Sequence, residues 1–211
     1  MSVGIKICGL KDHENVAAAL ESGADWIGFV FYARSPRFVT PQEVGALLTR
    51  FGDSAVRRAV GLFVKPSDDE IAGALAAAPL SILQIYDSPE RAAEIRQRFG
   101  LPVWVSIAVT TPSDLPDAPL CDGLVIEPAA RTEDGRPGGN GRIMDWAPLK
   151  SWKAPQNWLL AGGLTPENVA EAITTSGAPA IDVSSGVETR PGVKSAELIT
   201  RFVKAARTPC A

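Results

Sequence analysis

Eight short apolar runs recur along the chain, and a segment of helical period follows most of them. This alternation constrains the fold more than any other feature. The runs fall at 3–8, 25–31, 59–64, 81–86, 102–109, 121–127, 157–161 and 180–184. Helical spacing of apolar residues appears near 12–22, 41–51, 68–78, 89–98, 166–175 and 195–207, with a shorter stretch at 145–152. Strands joined through helices pair in parallel. Eight such units in 211 residues predict a compact (β/α)8 barrel, one domain over 1–211, near the lower size limit of that fold. The competing arrangement is a doubly wound open sheet. It usually carries a Gly-rich dinucleotide turn after its first strand, whereas Cys8-Gly9-Leu10 stands there. Thr40-Pro41-Gln42-Glu43 and Thr165-Pro166-Glu167-Asn168 read as helix starts, each a Thr cap followed by Pro and an acid. Segment 111–120, with three prolines, supports at most a turn of helix, and the polar, Gly-rich 129–141 reads as a loop after strand six.

Composition removes several classes of function. A net charge of −3 with no basic stripe argues against nucleic-acid binding. No apolar run reaches the length of a membrane span, and MSVGIKICGLK lacks the apolar core of a signal peptide, so a cytoplasmic protein is expected. Cys8, Cys121 and Cys210 are widely spaced and odd in number, which suggests neither a disulfide framework nor a metal site. The single histidine, His13, opens a predicted helix and reads as a surface residue, so Ser–His–Asp chemistry has no candidate.

In a (β/α)8 barrel the chemistry sits at the C-terminal ends of the strands. That rule selects Cys8, Arg37, Tyr86, Glu127, Gly162, Gly163, Asp182, Ser184, Ser185 and Gly186. The loops after strands seven and eight often hold a phosphate in this fold, and here they read Gly162-Gly163 and Ser184-Ser185-Gly186. The alternative is that these glycines only make tight turns. Alternation puts Lys6 and Cys8 on one face of strand one and Ile5 and Ile7 on the other. A nearby ammonium lowers a thiol pKa, so Cys8 is a candidate base or nucleophile, or else buried filler. Glu127, at the end of strand six, is a candidate acid or base, or a salt-bridged rim residue. Asp122 opens the same strand and belongs at the opposite end of the barrel. Asp134 lies in the loop.

Taken in order, these residues resemble the phosphoribosylanthranilate isomerases of tryptophan biosynthesis. The resemblance rests on Lys6-Ile7-Cys8-Gly9, Gly28-Phe29-Val30-Phe31, Ser35-Pro36-Arg37, Gly138-Gly139-Asn140-Gly141 with Asp145-Trp146, Leu160-Ala161-Gly162-Gly163-Leu164, and Asp182-Val183-Ser184-Ser185-Gly186-Val187-Glu188 with Pro191-Gly192. It implies an Amadori rearrangement of a phosphorylated sugar–anthranilate substrate, without a cofactor or metal. By the same resemblance Cys8 is the base and the strand-six carboxyl the acid. Arg37 meets the anthranilate carboxylate, Asp182 meets the sugar hydroxyls, Lys6 is a further substrate-binding residue, and Gly162, Gly163, Ser184, Ser185 and Gly186 hold the phosphate. A monomer or weak homodimer is expected.

The chain departs from the family pattern on one side of the pocket. Glu127 replaces the usual aspartate, Gln84-Ile85-Tyr86-Asp87 replaces Gln-Leu-His-Gly, and Val105-Ser106 lacks a lysine often present. These departures leave open two alternatives: a phosphosugar enzyme with another aglycone, and a phosphate-ligand-binding barrel with altered or lost isomerase activity.

Overall fold

The computed structural model describes residues 2–130 and 141–208. Eight parallel strands close into a barrel in sequence order: β1 (Gly4–Cys8), β2 (Trp26–Val30), β3 (Ala59–Val64), β4 (Ile82–Tyr86), β5 (Val103–Val109), β6 (Gly123–Pro128), β7 (Trp158–Ala161) and β8 (Ala180–Val183). The ring closes through β1 and β8, where Lys6 stands opposite Asp182. Helices α1 (His13–Glu21), α2 (Pro41–Phe51), α3 (Asp53–Val56), α4 (Asp68–Ala77), α5 (Pro89–Phe99), α6 (Ala147–Ser151), α7 (Val169–Ser176) and α8 (Ala196–Arg207) lie outside it. Among the described residues no helix is long and apolar enough to cross a membrane.

Period-two alternation divides the strand residues between two cores. Ile5, Ile7, Phe29, Phe63 and Ile85 face outward and pack with helical residues such as Val16 and Phe202. Val60, Trp104, Val125, Leu159, Ala161 and Ala180 fill the interior in a layer of their own. Nearer the C-terminal mouth stands a smaller layer of Cys8, Val30 and Leu62. This apolar plug makes the barrel a solid support, with room for chemistry only at the mouth.

The capping signals act much as read. Thr40 and Glu43 form a reciprocal capping box at α2. His13 lies exposed at the start of α1, stacked on Phe51. Asp122 accepts from the backbone of Val103 at the N-terminal end of β5, far from the mouth as expected. Two readings need correction. Helix α7 starts at Val169 rather than at Pro166, because Asn168 accepts from Thr165 N and donates to Gly163 O. Thr165 to Asn168 therefore form a turn that ties down the loop after β7. The sequence reading also missed a hairpin after β8, β9 (Glu188–Arg190) with β10 (Val193–Lys194). Most of the predicted loop 129–141, including Asp134 and Gly138 to Asn140, lies outside the described residues.

Candidate active site

Strand β1 supplies Lys6 and Cys8 on the inward face, two residues apart. Lys6 is fully buried, and its ammonium donates to both carboxylate oxygens of Asp182, each at 3.0 Å. Burial alone would lower the lysine pKa. Asp182 and Cys8 outweigh it, so the pKa is raised and Lys6 stays charged. Gly28 of β2 makes this arrangement possible, since a Cβ there would lie 3.0 Å from Cys8 Sγ and 3.1 Å from Lys6 Cε.

The nearby ammonium does not make Cys8 acidic. Only 4% of the residue is exposed. Burial pushes the thiol above its ordinary value, and Lys6 and Lys194 offset only part of the rise. The expected lowering of the Cys8 pKa is therefore corrected: desolvation outweighs the neighbouring charges.

Glu127 points inward from β6 and is 5% exposed. Its Oε1 has no hydrogen-bond partner among the described residues. Burial, helped by Asp182, pushes its pKa up to about 8 against the pull of Tyr86 and Lys6. At neutral pH this carboxyl holds a proton, the state a general acid requires. Tyr86 stays a neutral phenol, its pKa raised by burial and by Glu127. Below it Gln84 donates to Ser106 Oγ at 2.9 Å. Of the positions that depart from the family, Tyr86 and Glu127 line the cavity and interact with each other. Asp87 accepts from Ser88 N beyond the strand end and does not line the cavity.

The loops after β7 and β8 line the same cavity as Tyr86 and Glu127. Gly162 and Gly163 take φ of 91° and 63°, a region favoured by glycine. Gly186 lets the two loops touch, because a Cβ on it would lie 1.8 Å from Leu164 O. Ser184 Oγ donates to Cys8 O at 3.1 Å, which binds the second loop to the end of β1.

A cavity opens here at the C-terminal mouth of the barrel. Cys8, Arg37, Tyr86, Glu127, Gly162, Gly163, Asp182, Ser184 and Ser185 line it. Lys6 is not on the wall; it lies sealed behind Asp182. Gly186 is at the contact between the loops. Arg37 reaches the wall with its Nε and one Nη donating to Glu188, at 2.7 and 2.9 Å. The sequence reading missed the apolar side of the cavity, Val30, Tyr32, Leu62 and Val64. Alternation along β2 and β3 could have found Val30, Leu62 and Val64. It also missed Glu188 and Lys194, whose short strands carry no periodic signal. Among the described residues no group of three or more His, Cys, Asp or Glu side chains could hold a metal ion.

Fold and site together define a (β/α)8-barrel enzyme with a buried acid, a thiol and glycine-rich loops gathered at one mouth. The family model described as N-(5'phosphoribosyl)anthranilate (PRA) isomerase matches residues 5–205. The chain is 50% identical to N-(5'-phosphoribosyl)anthranilate isomerase of Acidiphilium cryptum, covering 95% of this chain and 97% of that protein. It is 44% identical to the isomerase of Granulibacter bethesdensis, over 98% and 99% of the two chains. The crystal structure of phosphoribosyl anthranilate isomerase from Thermotoga maritima superposes with a TM-score of 0.82, at 28% identity, covering 97% of this chain and 98% of that one. A further solved structure, with a TM-score of 0.79 and 27% identity over 97% and 98%, is an isomerase in complex with reduced 1-(o-carboxyphenylamino)-1-deoxyribulose 5-phosphate. The chain belongs to the N-(5'-phosphoribosyl)anthranilate isomerase family.

Proposed function

We propose that the protein converts N-(5'-phosphoribosyl)anthranilate to 1-(2-carboxyphenylamino)-1-deoxyribulose 5-phosphate, an Amadori rearrangement of tryptophan biosynthesis. The observation that carries this reading is the buried Glu127 carboxyl, which lines one cavity with Cys8. Glu127 delivers its proton to the furanose oxygen as the ring opens to a Schiff base. Cys8, as thiolate, then removes the C2′ proton, and the enolamine relaxes to the ketone. The cationic Schiff base beside Cys8 favours the thiolate that burial disfavours in the empty site. Asp182, held by Lys6, meets the sugar hydroxyls. Arg37 faces the anthranilate carboxylate, and the backbone of Gly162-Gly163 and Ser184-Ser185-Gly186 holds the phosphate. Every residue in this scheme comes from one chain, so a monomer or weak homodimer suffices, working in the cytoplasm.

The test is the decay of substrate fluorescence with purified protein, together with complementation of a tryptophan auxotroph lacking this step. Binding of a phosphorylated analogue without turnover would instead make the protein a phosphate-ligand-binding relative.

Two further results are expected. The active form pairs protonated Glu127 with deprotonated Cys8. Glu127 titrates near 8 and Cys8 above its ordinary value, so most molecules carry both protons at pH 7. The form with one proton builds up as pH rises through about 8 and disappears as the second proton leaves. A profile of kcat/KM should therefore climb through this region to an alkaline maximum. A flat profile from about pH 6 to about 8, the window below the Glu127 value, contradicts the scheme. The second result concerns the phosphate. Gly186→Ala forces the loops after β7 and β8 apart. Losing one charge-assisted hydrogen bond costs about 1.5–3 kcal/mol, so KM should rise about tenfold or more, and inorganic phosphate should inhibit the variant less than the wild type. Unchanged inhibition by phosphate would place the anion elsewhere.

A further inference from the structure

The hairpin β9–β10 has no part in the scheme above, yet its side chains run into the site. Glu188, at its start, is shared by two cations. Its Oε1 accepts from Arg37 Nε at 2.7 Å and from Lys194 Nζ at 2.8 Å, and its Oε2 accepts from Arg37 Nη2 at 2.9 Å and Gly192 N at 3.2 Å. Side-chain exposure is 5% for Arg37, 4% for Glu188 and 1% for Lys194. Such a buried network is costly to form and is retained only with its partners well arranged. Lys194 also leaves the network. Its ammonium donates to Ser184 O at 2.8 Å and lies 3.2 Å from Ser184 Oγ. The Ser184 hydroxyl in turn donates to Cys8 O at 3.1 Å. A chain of contacts thus runs from the hairpin through Ser184 to the end of β1.

We propose that Lys194 is a positioning residue for Cys8: from β10 it braces the Ser184 turn that holds the end of β1, and it sets a buried positive charge beside the thiol. This proposal deepens the isomerase reading and rests on Cys8 as its base. The charged and titratable groups around the thiol come from several strands: Lys6 on β1, Asp182 on β8, Lys194 on β10 and Tyr86 on β4. Lys6 is neutralised by Asp182 at 3.0 Å. Glu188 divides its one negative charge between Arg37 and Lys194. The Lys194 ammonium favours the Cys8 thiolate. Burial lowers the Lys194 pKa to about 8 despite Glu188, so this charge is present at neutral pH and fades above it.

The test reads the thiol directly, without turnover. Iodoacetamide alkylation of Cys8 is followed by mass spectrometry of its peptide, in the full-length wild type and in Lys194→Met, Lys194→Gln and Lys194→Arg. A neighbouring charge shifts a pKa by about one unit or more, so Lys194→Met and Lys194→Gln should slow alkylation at pH 7 about tenfold. The gap should narrow above pH ~8, where the wild-type lysine itself loses its charge. Lys194→Arg should restore the rate. In the activity assay both neutral variants should lose kcat with KM little changed, Lys194→Gln less than Lys194→Met because its amide still donates to Ser184 O. Equal alkylation rates in wild type and a folded neutral variant would overturn the proposal. So would failure of both neutral variants to fold, which would assign Lys194 to the barrel and not to Cys8. A wild type with no turnover but a charge-dependent alkylation rate would end the isomerase reading, and Cys8 as its base, while the action of Lys194 on the thiol would stand.

Discussion

Glu127→Gln is expected to lower kcat by on the order of 10²–10⁴, the range for general acid–base groups, and to make the protein more stable at alkaline pH. Both effects have one origin. The carboxyl is buried, its Oε1 lacks a partner among the described residues, and its pKa stands near 8 instead of 4.5. The folded state therefore keeps a proton that the unfolded chain releases. Folding stability from this group is fully present below pH ~4.5 and is lost as pH rises through about 8. Glutamine keeps the shape and has no proton to lose. The variant should gain stability on the wild type by on the order of 2–4 kcal/mol at pH ~8, and the gain should shrink toward pH ~5. Denaturant melts at the two pH values measure it. An equal difference at both would show that Glu127 titrates normally, and unchanged kcat would remove it as the acid. Glu127→Asp restores the carboxyl usual in the family and should retain or raise activity. If Glu127→Gln leaves kcat intact while Asp87→Asn abolishes it, the acid is Asp87, just past the end of β4.

Cys8→Ser should reduce kcat by a similar factor, about 10²–10⁴, and leave binding of a reduced product analogue within about threefold. A serine hydroxyl in the same place is a far weaker base than a thiolate. The substitution hardly changes volume, and the Lys6–Asp182 hydrogen bonds and the Ser184 contact to the Cys8 carbonyl do not involve the sulfur. The loss should therefore fall on the chemical step. Calorimetry with the analogue and single-turnover kinetics separate the two quantities. A kcat equal to that of the wild type would reduce Cys8 to packing at the mouth of the barrel.

The barrel was legible because its cause is local. Apolar period two in β1 through β8 and period 3.6 in α2 and α8 follow from which faces must be buried, and short-range spacing records that. The same alternation put Lys6 and Cys8 on the inner face of β1. The rule that strands end at the active mouth put Cys8, Glu127 and Asp182 together. Capping at Thr40 was equally local. At Thr165 the same motif misled, because Asn168 bonds back to Thr165 N and Gly163 O and delays the helix.

What the tertiary structure alone decided is the electrostatic state of those residues. Lys6 stands two residues from Cys8, which suggested an acidic thiol, but the ammonium is spent on Asp182, 176 residues away, and burial drives the thiol the other way. The proton on Glu127 at neutral pH comes from burial in the closed barrel, helped by Asp182 on β8. Arg37, Glu188 and Lys194 form one network although 151 residues separate the first two. Spacing along a chain records which face a side chain takes. Desolvation and charge depend on what the closed barrel brings around that side chain, and only the assembled fold supplies it.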